Sequence, residues 1–192
     1  TTSPNFNPLQ SAYRKHHSTE TALLNTLNHV YSAADNSQPT ILVSLDLSAA
    51  FDTIDHGILL SRLHSEFGIS GAALEWIRSY LTGRSQRVTV GHSHSSYQSV
   101  TTGVPQGSVL GPLLFTCYIS PAGHLINSFG IFHQQYADDM QLFIELSINA
   151  AATVINQLER CLSDLHCWLC LNDLSLNPDK SEAIWLSTVQ RS

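Results

Sequence analysis

The sequence predicts an α+β fold, a small and mostly antiparallel sheet with helices packed on one face. Three observations lead there. Helical apolar patterns and short β-rich runs are interspersed along the 192 residues, in the order helix, strand, helices, strand, helix, hairpin, helix, strand. The runs Ile131-Phe132 and Leu142-Phe143-Ile144 flank the turn-forming pair Asp138-Asp139, the pattern of a tight hairpin. Hydrophobic residues form 43% of the chain, enough for the core of one domain.

Ser18-Thr19-Glu20 opens the first helix, with Ser18 as N-cap and Glu20 at the positive end of the helix dipole. Leu23, Leu24, Leu27, Val30, Tyr31 and Ala34 recur at helical spacing, and Asn36 to Pro39 ends the pattern. Ile41 to Leu47 is a largely buried strand whose only polar members are Ser44 and Asp46. Leu59, Leu60 and Leu63 mark a helix that stops by Gly68. Ser70 caps another, with Leu74, Ile77, Tyr80 and Leu81 on its face and Gly83 just beyond. Arg84 to Val90 alternates like a strand, and Gly91 to Ser99 reads as a polar loop. Val104-Pro105-Gln106-Gly107 is turn chemistry. The apolar stretch from Val109 to Ile119 then predicts a helix from Leu110 or Pro112, because proline is tolerated in a first turn. After the hairpin, Val154, Leu158, Leu162, Leu165 and Leu169 line one face of a long helix that Asn172 to Pro178 closes. Ala183 to Leu186 is the last strand.

Only 12% of residues are charged, low for a free-standing domain, which reserves part of the surface for other protein. The net charge of −6, with nine Lys and Arg, argues against a chain that grips nucleic acid by phosphate contacts alone. No run approaches a membrane span, and Thr1 to Gln10 lacks the basic and apolar parts of a secretory signal. The missing initiator Met suggests a fragment or a processed chain. The cysteines are Cys117, Cys161, Cys167 and Cys170. Cys167 and Cys170 have C-x-x-C spacing beside His166 but no second pair of ligands, so they are expected to be buried helix cysteines rather than a zinc or redox site.

Adjacent Asp138 and Asp139 repel each other and seek water, while their flanking runs seek burial. A divalent cation reconciles the two. A plain solvated turn is the competing reading of that pair taken alone. Asp46 ends a buried run, where an unpaired carboxylate is costly, so a partner is expected. That partner is a metal, or an ion pair with Arg14 or Lys180. If the Asp46 strand lies beside the hairpin, three carboxylates converge at one end of the sheet. Two Mg²⁺ ions roughly 4 Å apart would neutralise them and hold a triphosphate for in-line attack. Asp52 and Asp55 read as candidates to cap the following helix.

These residues stand in stretches that resemble the motifs of reverse transcriptases. Leu45-Asp46-Leu47-Ser48-Ala49-Ala50-Phe51-Asp52 resembles motif A, and Gly103-Val104-Pro105-Gln106-Gly107-Ser108-Val109-Leu110-Gly111-Pro112 resembles motif B. Tyr136-Ala137-Asp138-Asp139 resembles motif C, and Leu176-Asn177-Pro178-Asp179-Lys180-Ser181 resembles motif D. Gln10-Ser11-Ala12-Tyr13-Arg14 and Ser18-Thr19-Glu20-Thr21-Ala22-Leu23 are similar to the fingers segment before motif A in non-LTR, LINE-type retrotransposons. A lone Y-x-D-D would be weak evidence; four motifs in the family's order are highly specific.

The resemblance implies a polymerase palm with part of the fingers and no thumb. It makes residues 1–192 one partial domain, with a fingers segment over about 1–40, a palm over 41–192 and a fingers-side insertion near 57–100. The implied activity is RNA-directed DNA synthesis, adding dNTPs to a DNA primer 3′-hydroxyl on an RNA template. Two Mg²⁺ ions would serve it, with Mn²⁺ as the substitute. Asp46 and Asp138 would be the principal ligands, Asp139 an accessory one, and the Leu47 carbonyl would complete a shell. Phe51 falls at the family's steric gate against a 2′-hydroxyl; on pattern alone it is a core phenylalanine. Gln106 would lie near the incoming nucleotide, and Gly107 would let backbone approach the base pair; the plain alternative is a Pro-Gln-Gly turn. Ala137 would sit near the primer terminus. Lys180 matches the motif D lysine, a proton donor to pyrophosphate, or is a surface lysine. Arg14, near the triphosphate, and Arg87, on the nucleic acid, are phosphate contacts or solvated surface.

The basic fingers tip, the thumb and the endonuclease and nucleic-acid-binding regions of full-length elements are expected as partners outside this sequence. A nuclear location is expected for target-primed reverse transcription. An RNA-dependent RNA polymerase is disfavoured by Phe51, and the motif wording favours a LINE-type over a group II intron-type enzyme. A catalytically silent remnant acting as an interaction module is the alternative from a different class.

Overall fold

In the computed structural model, which describes residues 3–147 and 150–187, Ser18 caps α1 (Thr19–Asp35) as expected. The Thr21 N–H donates to Ser18 Oγ at 3.2 Å and the Ser18 N–H donates to Thr21 Oγ1 at 2.8 Å, a reciprocal capping box. The helix turns a different face inward from the one its leucines suggest. Ala22, Thr26 and Ala33 are buried, whereas Leu23, Leu24 and Tyr31 are 58%, 59% and 60% exposed. The cause is the polar surface beneath it. Asn25 Nδ2 donates to Gln134 Oε1 at 2.7 Å, Thr26 Oγ1 donates to Gln141 Oε1 at 3.2 Å, and His29 stacks on Phe132.

β1 (Thr40–Leu45) stops at Asp46, and the two-residue β2 (Leu47–Ser48) follows. α2 (His56–Ser65) is capped by Asp55, whose Oδ1 accepts from the Ile58 N–H at 2.7 Å; Asp52 is left for another task. α3 (Gly71–Leu81) leads to four short strands, β3 (Arg84–Gln86), β4 (Thr89–Val90), β5 (Ser93–His94) and β6 (Gln98–Val100). β3 pairs with β6 and β4 with β5, so the polar loop expected over 91–99 is instead the returning half of a nested hairpin. Its residues are almost all exposed, so no buried face exists to impose an alternating pattern.

α4 (Leu110–Ser128) begins where expected but outlasts its apolar run and continues through Pro121, which forgoes one helical hydrogen bond, to the Cys117 carbonyl. β7 (Phe132–Tyr136) and β8 (Asp139–Glu145) form the expected hairpin. α5 (Ala151–Leu171), β9 (Ser175–Leu176) and β10 (Glu182–Leu186) complete the chain. The main sheet has the order β10-β1-β8-β7 and is antiparallel throughout, while β2 pairs with β9 beside it.

Val43, Leu45, Met140, Leu142 and Ile144 point from the sheet into the core, where α4 and α5 meet them with Phe115, Tyr118, Ile119, Leu158, Leu165 and Leu169. Thus α4 and α5 cover one face, as expected. α1 lies over the β7–β8 side of the other, because Gln134, Gln141 and Phe143 alternate with the core-facing residues. The turn-rich chain before α1 adds an isolated bridge to β7: the Ser11 N–H donates to the Gln135 carbonyl at 2.9 Å and the Gln135 N–H to the Leu9 carbonyl at 3.0 Å.

Burial pushes the Cys117 and Cys161 thiols up to about 11. Cys167 and Cys170 are exposed, a correction to the expectation of burial, because the inward face of α5 is set by Leu158, Cys161, Leu165 and Leu169. Among the described residues no helix is long and apolar enough to cross a membrane.

Candidate active site

The antiparallel register decides where the acids stand. Leu45 pairs with Met140 across β1 and β8, so one step further the chain places Asp46 opposite Asp139. Asp138 lies in the turn joining β7 to β8, directly after Ala137, whose φ is 56°. The three carboxylates are therefore gathered at one end of the sheet. Their proximity is registered by Asp139, whose carboxyl is held above the ordinary carboxylate range. Partial burial is the largest cause, followed by the charges of Asp138 and Asp46, with Lys180 offsetting part of the rise.

Asp46 is half-buried and its partner is Lys180, with Nζ 3.9 Å from Oδ2. Arg14, the other expected partner, instead staples its own segment: its Nη1 donates to the Pro8 carbonyl at 2.6 Å, and its guanidinium lies over the Phe6 ring. The chain around Lys180 is latched to Asp46 through the backbone. The Asn177 N–H donates to the Asp46 carbonyl at 2.9 Å, and the Asp46 N–H donates to Ser181 Oγ at 3.3 Å. Leu47 follows with a buried side chain and pairs with Leu176.

The loop after Asp46 is laced to the Pro-Gln-Gly turn. The Val104 N–H donates to the Phe51 carbonyl and the Gly103 N–H to the Ile54 carbonyl, each at 2.8 Å. Gly103 (φ 79°) is required here, since a Cβ would stand 2.7 Å from the Asp52 carbonyl oxygen. Asp52 accepts from Gln106 Nε2 at 2.9 Å on both carboxylate oxygens, which fixes the amide and leaves Gln106 Oε1 to other partners. Phe51 is half-buried and packs its ring on Phe115, with centroids 4.6 Å apart. Gly107 has φ 75° and open space around it. A polar cavity of about 660 Å³ runs between this turn and the β3–β6 hairpin, lined by Asp52, Arg84, Gln86, Ser99, Thr102 and Gln106 among others. Arg87 is exposed on the hairpin with its guanidinium 5.0 Å from the Tyr97 ring centre.

Among the described residues, no three His, Cys, Asp or Glu side chains form a ready-made metal cluster. Like charges served by a single nearby ammonium spread apart. The donor chemistry nonetheless fits a hard divalent cation: the site offers the carboxylate oxygens of Asp46, Asp138 and Asp139, with the Lys180 ammonium beside Asp46.

Over residues 1–190 the sequence matches the family model described as reverse transcriptase (RNA-dependent DNA polymerase). The chain belongs to that family. Among the relatives of this reverse transcriptase chain is a probable RNA-directed DNA polymerase from transposon BS of Drosophila melanogaster, 30% identical over 90% of the chain and 19% of the relative. Another is the Pol polyprotein of the type-1 retrotransposable element R2 from Popillia japonica, 26% identical over 77% of the chain and 25% of the relative. The chain thus spans a quarter or less of the length of these relatives. Solved telomerase structures share the fold. That of Candida albicans, in complex with a telomeric RNA fragment, gives a TM-score of 0.66 at 15% identity over 91% of this chain and 31% of that one. That of Candida tropicalis, without its C-terminal domain, gives 0.67 at 13% over 94% and 37%.

Sequence reasoning on this reverse transcriptase chain assigned no site role to Asp52, Ser181 or Gln10. Asp52 is visible as a second acid six residues after Asp46, but only the fold brings Gln106 to it. Ser181 was seen only as part of a motif, and the hydrogen bonds that give Gln10 a role cross more than a hundred residues.

Proposed function

We propose that this chain is the palm of an RNA-directed DNA polymerase of a non-LTR element, extending a DNA primer with dNTPs on an RNA template. The observation that carries the reading is the convergence of Asp46, Asp138 and Asp139 at one end of the sheet, in a chain of the reverse transcriptase family. Asp46, Asp138 and Asp139, with the Leu47 carbonyl, would hold two Mg²⁺ ions. Bound there, the ions would supply Lewis acidity to the primer hydroxyl and the triphosphate.

The chain's own residues do the positioning. Phe51, braced by Phe115, walls the sugar and leaves no room for a 2′-hydroxyl. Gln106, held by Asp52, presents its free amide oxygen toward the nucleotide, and Gly107 keeps the backbone beside it low. Ala137 keeps the primer terminus uncrowded. Lys180 is 70% exposed on a long flexible stem, so it can leave Asp46 and deliver a proton to pyrophosphate. Arg14 orders the fingers segment, and Arg87 offers a charge to template phosphate.

Primer extension on an RNA template with dNTPs and Mg²⁺ or Mn²⁺ tests this. Asp138→Ala is expected to lower incorporation by more than about 100-fold, beyond the usual effect of residues that only support a ligand. The isolated 192 residues are expected to extend little. Incorporation that survives Asp138→Ala overturns the metal assignment, and no incorporation even when the flanking fingers and thumb segments are restored overturns the activity.

A further inference from the structure

We infer that Gln10 is a positioning residue that fixes the Asp138-Asp139 turn. Gln10 is fully buried, and its amide bonds backbone alone. Its Oε1 accepts from the Ala137 N–H at 2.9 Å and from the Ala12 N–H at 2.9 Å, while its Nε2 donates to the Ala137 carbonyl at 3.0 Å. Both polar groups of one turn residue are thus closed by one side chain, in the manner of a strand partner.

The residue held this way is the one that needs holding. Ala137 sits at φ 56°, a region that residues with a Cβ avoid, and it immediately precedes Asp138. A rotation at Ala137 toward an ordinary conformation would swing Asp138 away from Asp46. The clamp is itself anchored. Its neighbours Leu9 and Ser11 bond the backbone of Gln135, and Asn7 Nδ2 donates to Gln135 Oε1 at 2.8 Å. Only glutamine offers a donor and an acceptor at this reach. Glutamate lacks the donor when ionised, and asparagine is one methylene shorter.

This inference rests on the metal-site reading above, and Mn²⁺ titration of the full chain separates the two. Gln10→Met keeps the volume and removes all three side-chain hydrogen bonds. It is expected to weaken Mn²⁺ binding about tenfold, the scale set by residues that orient ligands, and to speed hydrogen exchange at the Ala137 amide. In primer extension it is expected to lower kcat with little change in KM for dNTP. Gln10→Glu, a second variant should the first fold poorly, is expected to show a defect that shrinks as pH falls and the acid regains a donor. The comparison is with the unchanged chain at each pH; loss of packing alone would not titrate. Native Mn²⁺ affinity in Gln10→Met, with Asp138→Ala abolishing binding, overturns the role of Gln10 and leaves the metal site standing. Unaltered Mn²⁺ binding in Asp138→Ala overturns the metal site, and the inference with it.

Discussion

Partial burial, and after it the charges of Asp138 and Asp46, raise the Asp139 carboxyl above its ordinary pKa. An acid whose folded-state pKa is raised favours folding below its unfolded value and loses that contribution as pH rises through the raised value. At pH 7 the metal-free chain therefore keeps Asp139 ionised at some cost. Asp139→Asn is expected to raise the stability read by urea unfolding at pH 7, by less than about 1 kcal/mol because the side chain is only partly buried and its charge is screened by solvent. The gain should vanish below about pH 4, where both states are protonated. Adding Mg²⁺ should stabilise the unchanged chain more than the variant. Equal stability of variant and unchanged chain at both pH values would show that neither burial nor the neighbouring carboxylates disfavour the Asp139 charge. Asp46, Asp138 and Asp139 were legible in the sequence because charge inside apolar runs is anomalous wherever it occurs. Gln10 was illegible because a neutral amide becomes meaningful only when tertiary register sets a backbone turn against it.

At the scale of elements, Arg62 ties three helices together. From α2 its Nη1 donates to the Tyr118 carbonyl of α4 and its Nη2 to Asn172 Oδ1 at 2.7 Å, just past α5. It pairs with Glu66 at 3.3 Å and lies over the rings of Tyr118 and Trp168. Its side chain is nearly buried, so the guanidinium cannot fall back on water. Arg62→Met, which keeps most of the aliphatic stem, is expected to cost about 2–4 kcal/mol in urea unfolding, as for a broken buried charge network. A loss under about 0.5 kcal/mol would place this contact among ordinary surface pairs. The elements themselves were readable where burial leaves a mark: β1 as a continuous apolar run, the β7–β8 hairpin as β-rich runs around an acidic turn, and α5 by its helical period. The inward face of α1 was not readable, since it packs on glutamines and a phenylalanine of the sheet through Asn25, Thr26 and His29. β3 to β6 were hidden for the opposite reason, having no buried face to pattern.

Over the whole molecule, low charge and exposed apolar side chains go together. Val109 is 94% exposed and Trp185 58%, as the 12% charged composition led one to expect of a surface partly meant for other protein. The same scarcity governs nucleic-acid affinity. Arg62 is nearly buried, Arg78 pairs with Glu75, Lys180 with Asp46, and Arg14 is turned onto carbonyls. Arg84 and Arg87 lie together on the exposed β3–β6 hairpin, stacked on Tyr80 and Tyr97, while Lys15, before α1, and Arg160, on α5, are exposed elsewhere. Each phosphate neutralised contributes about −0.9 to the slope of log K against log salt. Primer–template binding through this hairpin is therefore expected to be weak, with a slope near −2, and Arg87→Ala should bring the slope about 1 closer to zero. Binding measured by fluorescence anisotropy across a salt series reads both. A slope steeper than about −5 would require phosphate contacts that these two arginines cannot make, and would move the nucleic-acid path to another face.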